Sequence, residues 1–154
     1  MAAKKRTASR TKPAARRRTT RRVTRTTPES LRLRKLTAAL TVNQIGRSLQ
    51  WYRDVLGFVE EDRWEDAGQL RGVLIKAGSV TLMLSQDDFA KGRDRQKGVG
   101  FRLRADTVQD LDAIADRIRS RGGTLTQEPA DMPWGERILS VTDPDGFQIT
   151  VVQA

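Results

Sequence analysis

One order of elements occurs twice along this chain, and that duplication limits the fold more than any single motif. From Leu36 the stretch LTAALTV (36–42) alternates Leu36, Ala38, Leu40 and Val42 against Thr37, Ala39 and Thr41, the period of a half-buried strand. QIGRSLQWYRDVLG (44–57) sets Ile45, Leu49, Tyr52 and Leu56 on one helical stripe, with Gly57 positioned to end it. Strand-like runs follow at 58–64, 71–76 and 80–85. After the polar, double-signed stretch DDFAKGRDRQKG (87–98), read as a linker, the order returns. VGFRLRA (99–105) is a strand, and VQDLDAIADRIRSRGG (108–123) carries Leu111, Ile114, Ala115 and Ile118 at helical spacing. Strand patterns at 124–128, 137–142 and 147–152 complete the second copy. Each half is too small to close a sheet alone, so the two are expected to join around a shared concave surface.

Residues 1–35 lie outside that repeat. They hold fourteen Lys/Arg and one acid, Glu29, for a net charge of +13, whereas residues 36–154 hold fifteen Lys/Arg against eighteen acids, for −3. The whole basic excess of the chain therefore belongs to the tail. With few apolar residues to bury, the tail cannot offset the entropy of folding and is predicted to be disordered. Its arginine-rich centre (Arg16, Arg17, Arg18, Arg21 and Arg22) is the candidate polyanion contact, able to hold nucleic acid without reading sequence. A solvated tail without a dedicated partner and an organelle transit segment are the alternatives.

The chain contains no histidine and no cysteine. That removes the usual general base near neutral pH, thiolate chemistry, disulfides and the commonest metal ligands. No apolar run is long enough to span a bilayer, and the expected setting is cytoplasmic. The acidic cluster Glu60, Glu61, Asp62, Glu65 and Asp66 reads as a solvated rim, not as a carboxylate pair poised for proton transfer. KGRDRQKG lacks the strand–turn–helix setting of a phosphate loop.

Near the end, TDPDGFQITVV (142–152) joins turn chemistry to a strand whose outward position is Thr150. Together with RSLQWYRDVLGF (47–58), SVTLMLS (79–85) and PWGERILSVTDPDGFQITVV (133–152), the duplicated order resembles the vicinal oxygen chelate superfamily of glyoxalases, bleomycin-resistance proteins and extradiol dioxygenases. The resemblance spans 36–154 and implies an α+β fold. Two βαβββ modules (36–86 and 99–154) would form a curled mixed sheet around a central cavity. It also implies a divalent metal held by His, Gln or Glu at four strand positions. Here those positions fall on Thr37, on Met83 (or Leu82 in a shifted register), on Phe101 (or Gly100 by side-chain parity) and on Thr150. A threonine hydroxyl and a thioether are poor ligands for a catalytic divalent ion, so no metal, cofactor or catalytic residue is expected.

The candidate ligand contacts are Thr37, Trp64, Met83, Arg102, Arg104, Trp134 and Thr150. Trp64 and Trp134 occupy similar places in the two halves and either stack a flat ligand or plug the ends of strands. Arg102 and Arg104 alternate with Phe101, Leu103 and Ala105, read as the core face, and so leave the strand on its other face, as an anion clamp or as solvated charges. Trp51, beside Tyr52, reads as core. The expected function is metal-free binding of a small molecule in a homodimer, sequestering a drug or metabolite as in antibiotic resistance. A metal-independent lyase or isomerase and a protein acting on nucleic acid through its tail are the alternatives.

The charge division generates a prediction. RNA and DNA affinity will reside in residues 1–35 and fall steeply with salt, because Lys/Arg–phosphate contacts release counterions. Binding by the full chain is compared with that of 36–154 across a salt series. A shortened chain that keeps most of the affinity refutes the tail assignment.

Overall fold

The structure, a computed structural model, describes residues 34–154. The tail reading and its arginines Arg16, Arg17, Arg18, Arg21 and Arg22 fall outside the described residues. Lys35–Ala154 forms one compact unit. In it β1 (Ala38–Val42), α1 (Ile45–Asp54), β2 (Val59–Asp66), β3 (Gln69–Ala77) and β4 (Val80–Gln86) make the first half. The second half repeats the order with β5 (Arg102–Thr107), α2 (Leu111–Ser120), β6 (Leu125–Asp131), β7 (Arg137–Thr142) and β8 (Gln148–Gln153).

The predicted α+β architecture of two βαβββ modules is present. Each module has its own four-stranded mixed sheet, ordered β1-β4-β3-β2 and β5-β8-β7-β6. In each, the first and last strands of the module run parallel, placing Leu40 beside Leu84 and Leu103 beside Ile149. The remaining pairs are antiparallel. The edge strand β2 is exposed throughout and β6 in part, and both carry acidic residues, which discourages edge-to-edge pairing. Among the described residues no helix is long and apolar enough to cross a membrane.

Helical periodicity decides where the core sits. Ile45, Tyr52 and Val55 of α1 and its C-terminal cap meet Leu40, Val42, Val73, Ile75, Leu82 and Leu84. Leu111, Ile114, Ala115 and Ile118 of α2 join Leu139, Val141 and Ile149 in the same continuous cluster. Because strand side chains alternate between faces, one face of each sheet is committed to this helical core and the other faces away from it.

The two modules are fastened through the 142–147 turn. Gly146 takes a positive φ of 97°. Asp143 Oδ1 accepts hydrogen bonds from the backbone N–H of Asp145 (2.9 Å) and of Phe147 (2.8 Å), folding the turn on itself. Its other oxygen accepts from the Tyr52 hydroxyl of α1 at 3.0 Å. Asp145 accepts from the Ser48 hydroxyl (2.7 Å) and from the Asn43 N–H (2.6 Å). On the far side the 97–98 backbone presses close, and a Cβ on Gly98 would lie 2.2 Å from the Gly146 carbonyl oxygen.

Residues 87–98 are more than a polar connector. Asp87 and Lys97 are both buried and pair with each other, and Arg95 adds a second contact to the same carboxylate. Hydrogen bonding from Lys97 holds the Asp87 carboxyl well below the usual carboxylate range. The expected strand at 99–105 starts later, at Arg102. Gly98 and Gly100 have positive φ, and the Phe101 N–H bonds back to the Gly98 carbonyl at 3.1 Å, so this stretch is a turn. Phe101 therefore precedes the strand, set edge-on to Phe147 at 6.2 Å. Trp51 packs against the core, as expected.

Burial raises the Asp143 carboxyl above its ordinary pKa, opposed by the donors from Phe147, Tyr52 and Asp145. A folded-state pKa above the unfolded one means that stability falls as pH rises between those two values. Tyr52→Phe, which removes one donor, is expected to cost about 1–3 kcal/mol at neutral pH, and less in acid once Asp143 is protonated. Asp143→Ala strands three donors and is expected to cost about 2–4 kcal/mol. Urea unfolding of each variant at pH 7 and at acid pH measures both. A neutral-pH loss below a few tenths of a kcal/mol would show that the turn does not fasten the halves.

Candidate functional site

The faces opposite the helices carry the residues singled out in the sequence. On the first sheet one cross-strand row runs Ala39, Met83, Leu74 and Asp62. The next row runs Thr41, Ser85, Gly72 and Trp64. Thr37 lies just before β1, half-buried. Met83 is half-buried on this face while Leu82 belongs to the core, so the register selects Met83.

Trp64 stands opposite Gly72, and its ring fills the space a side chain would occupy there. A Cβ on Gly72 would approach the indole Cε3 to 2.9 Å. One face of the indole thus covers bare backbone, while the residue stays 42% exposed. Its packing over Gly72 and its partial exposure coexist.

On the second sheet the corresponding row runs Arg104, Thr150, Ser140 and Gln127. Thr150 is buried, and its hydroxyl lies 3.0 Å from that of Ser140, also buried. Arg102 and Arg104 do leave β5 opposite Leu103 and Ala105, but their charges fare differently. Arg104 is held bidentately by Glu136, Nη1 to Oε2 at 2.9 Å and Nη2 to Oε1 at 2.6 Å, with Asp106 also in contact. The Trp134 indole N–H donates to the same carboxylate at 2.9 Å. Arg104 and then Trp134 hold the Glu136 carboxyl down at about 2. Among the described residues Arg102 contacts the neutral Gln148 amide, at 3.2 Å, and forms no ion pair. Among the described residues the two arginines therefore differ: Arg104 is ion-paired and Arg102 is not.

The seven candidates form two groups: Thr37, Trp64 and Met83 on the first sheet, and Arg102, Arg104, Trp134 and Thr150 on the second. Two clefts are lined by other residues. One lies at the start of α1, around Gln44, Gly46, Arg47 and Arg93. The other lies where the modules meet, around Leu56, Val80, Ile114 and Val151. Glu136 escaped the sequence reading, although its place two residues after Trp134 in PWGE was the available signal.

The four strand positions do not fit a metal. They present two hydroxyls, a thioether and a phenyl ring, and one hydroxyl is engaged with Ser140. Gly100, the alternative to Phe101, lies in the turn before β5 with φ at 71°. Among the described residues no three His, Cys, Asp or Glu side chains converge as a ligand set.

A family model for the Glyoxalase/Bleomycin resistance protein/Dioxygenase superfamily matches residues 35–151. A probable lactoylglutathione lyase of Synechocystis is 29% identical over 121 residues, covering 74% of this chain and 90% of that protein. The crystal structure of a superfamily member from Sphaerobacter thermophilus superposes with a TM-score of 0.61 at 27% identity, over 75% of this chain and 93% of the other. UcmS2 superposes with a TM-score of 0.66 at 18% identity, over 80% of this chain and all of the other (100%), a likeness of fold.

The Arg104–Glu136–Trp134 contact is testable through the indole N–H resonance of Trp134. A depressed folded-state pKa means that the contact persists above the ordinary glutamate range and is lost as pH falls through about 2. The resonance is expected to titrate near that value, and nearer about 4.3 in Arg104→Gln. A wild-type midpoint in the ordinary glutamate range would dissolve the proposed network.

Proposed function

The chain belongs to the glyoxalase/bleomycin resistance protein/dioxygenase superfamily, and we propose that it uses that scaffold to bind a small molecule without a catalytic metal. The observation that carries this reading is the residue content of the four strand positions: Thr37, Met83, Phe101 and Thr150, with the Thr150 hydroxyl paired to Ser140. On such faces the chain offers what sequestration needs. Trp64 supplies an aromatic plane, Arg102 an available cation, and Met83 and Leu74 an adaptable apolar floor. Trp64, Met83 and Leu74 themselves carry no group that takes a proton from carbon.

The reading includes a homodimer. Each sheet keeps its helical face in the core, while the opposite faces carry exposed Trp64 and Trp134 and are not packed on one another. A second copy bringing its complementary face across would enclose the ligand and remove this apolar surface from water. A cytoplasmic setting and a role in drug resistance accord with this reading and rest on the same argument.

The competing reading is an enzyme, and the names of the curated relatives favour a lyase. Elemental analysis of the purified protein, with lactoylglutathione lyase assays in the presence and absence of added nickel or zinc, separates the two. Substoichiometric metal, no metal-dependent turnover and a dimeric mass in sedimentation are expected. One equivalent of bound metal, or turnover that appears when metal is added, contradicts the proposal.

A further inference from the structure

A different site lies on the helix-facing side of the sheets, and it does not rest on the reading above. Where the two modules meet, a cleft of about 610 Å³ opens. Leu56 and Phe58 follow the first helix, Ile114 comes from α2, and Ile149 and Val151 come from β8, together making apolar walls with Val80 at the lip. Its volume falls in the range of small-molecule sites, roughly 300–1,000 Å³.

One permanent cation, Arg117 of α2, stands among these walls. Its neighbour Arg119 is engaged by Asp116 and Glu128, whereas among the described residues Arg117 forms no ion pair. Among the described residues the Arg117 Nε is buried and has no hydrogen-bond partner. Asp106 also borders the cleft, and its carboxylate shares Arg104, at 3.2 Å, with Glu136. A buried donor on a charged group is costly to leave unsatisfied, so an acceptor belongs there. The surroundings are apolar, so the fitting partner carries one anionic head on an apolar body.

We propose that this cleft binds a small amphipathic monocarboxylate. The carboxylate lies along the fork of Arg117, where two parallel N–H donors match its two oxygens, and the hydrocarbon lies between Phe58 and Val151. A neutral apolar molecule would leave the guanidinium unsatisfied. The tail, with its charge of +13, would bring like charge to Arg117 and does not suit the cleft.

The test titrates decanoate, decanol and decyltrimethylammonium into the full chain by calorimetry. Decanoate is expected to bind at one per chain, decanol about tenfold more weakly, and the cation not at all. Arg117→Met should cut decanoate affinity by about tenfold and leave decanol unchanged, while Arg119→Met changes neither. Val80→Trp, at the lip, should weaken decanoate and decanol together. If Arg117→Met does not fold, Arg117→Lys replaces it and should still weaken decanoate, because it loses the paired donors. Equal binding of decanoate and decanol, or full decanoate affinity in the folded Arg117 variant, overturns the proposal.

Discussion

The contact on which the rest of the structure depends is the docking of the 142–147 turn onto α1. Asp143 and Asp145 each face two ways. They fold their own turn or its surroundings, and they take the hydroxyls of Tyr52 and Ser48 from the other module. A turn of this kind on a solvated hairpin would be replaceable. Here Asp143 and Phe147 are buried, and the close approach of Gly98 to Gly146 leaves no room for the turn to slide. The 87–98 segment serves the same end, since its Asp87–Lys97 pair lies out of solvent and closes the loop that delivers Gly98 to the turn.

That arrangement decides what the sheets can do. With the modules joined on their helical sides, the opposite face of the first sheet keeps Trp64 exposed and Met83 half-buried, while Ser140 and Thr150 on the second are buried. The same strand alternation that sends Leu103, Ile149 and Leu139 into the core turns Arg104, Thr150 and Ser140 outward. A scaffold whose relatives carry the name of a lyase thus displays hydroxyls, a thioether and an ion-paired arginine at its strand centres. Glu136 contributes too, by neutralising Arg104 and leaving Arg102 as the cation of this face.

Much of this was legible in the chain because periodicity is a local signal. The helical stripe of Ile45 and Tyr52 and the alternation through β8 follow from spacing alone, and with the duplicated order they give both modules. The start of β5 was misjudged because Val99 and Phe101 continue the alternation, while Gly98 and Gly100 impose a turn through backbone conformation. The Tyr52–Asp143 contact joins residues 91 apart, and no pattern in either segment announces the other. Likewise, the parity of Arg102 and Arg104 was correct, but which of them keeps its charge depends on Glu136, thirty-two residues beyond Arg104. The buried Asp87–Lys97 pair was hidden by composition, since a stretch this polar reads as solvated.

If the turn on α1 makes one cooperative body of two repeats, the halves cannot open separately. Native-state hydrogen exchange on the intact chain tests this most directly, through the amides of Val73 and Leu84 in the first sheet and of Leu139 and Ile149 in the second. All four residues lie in the same core. The account predicts one shared opening free energy, equal to that of global unfolding. Two distinct values, with one sheet exchanging while the other stays protected, would contradict it.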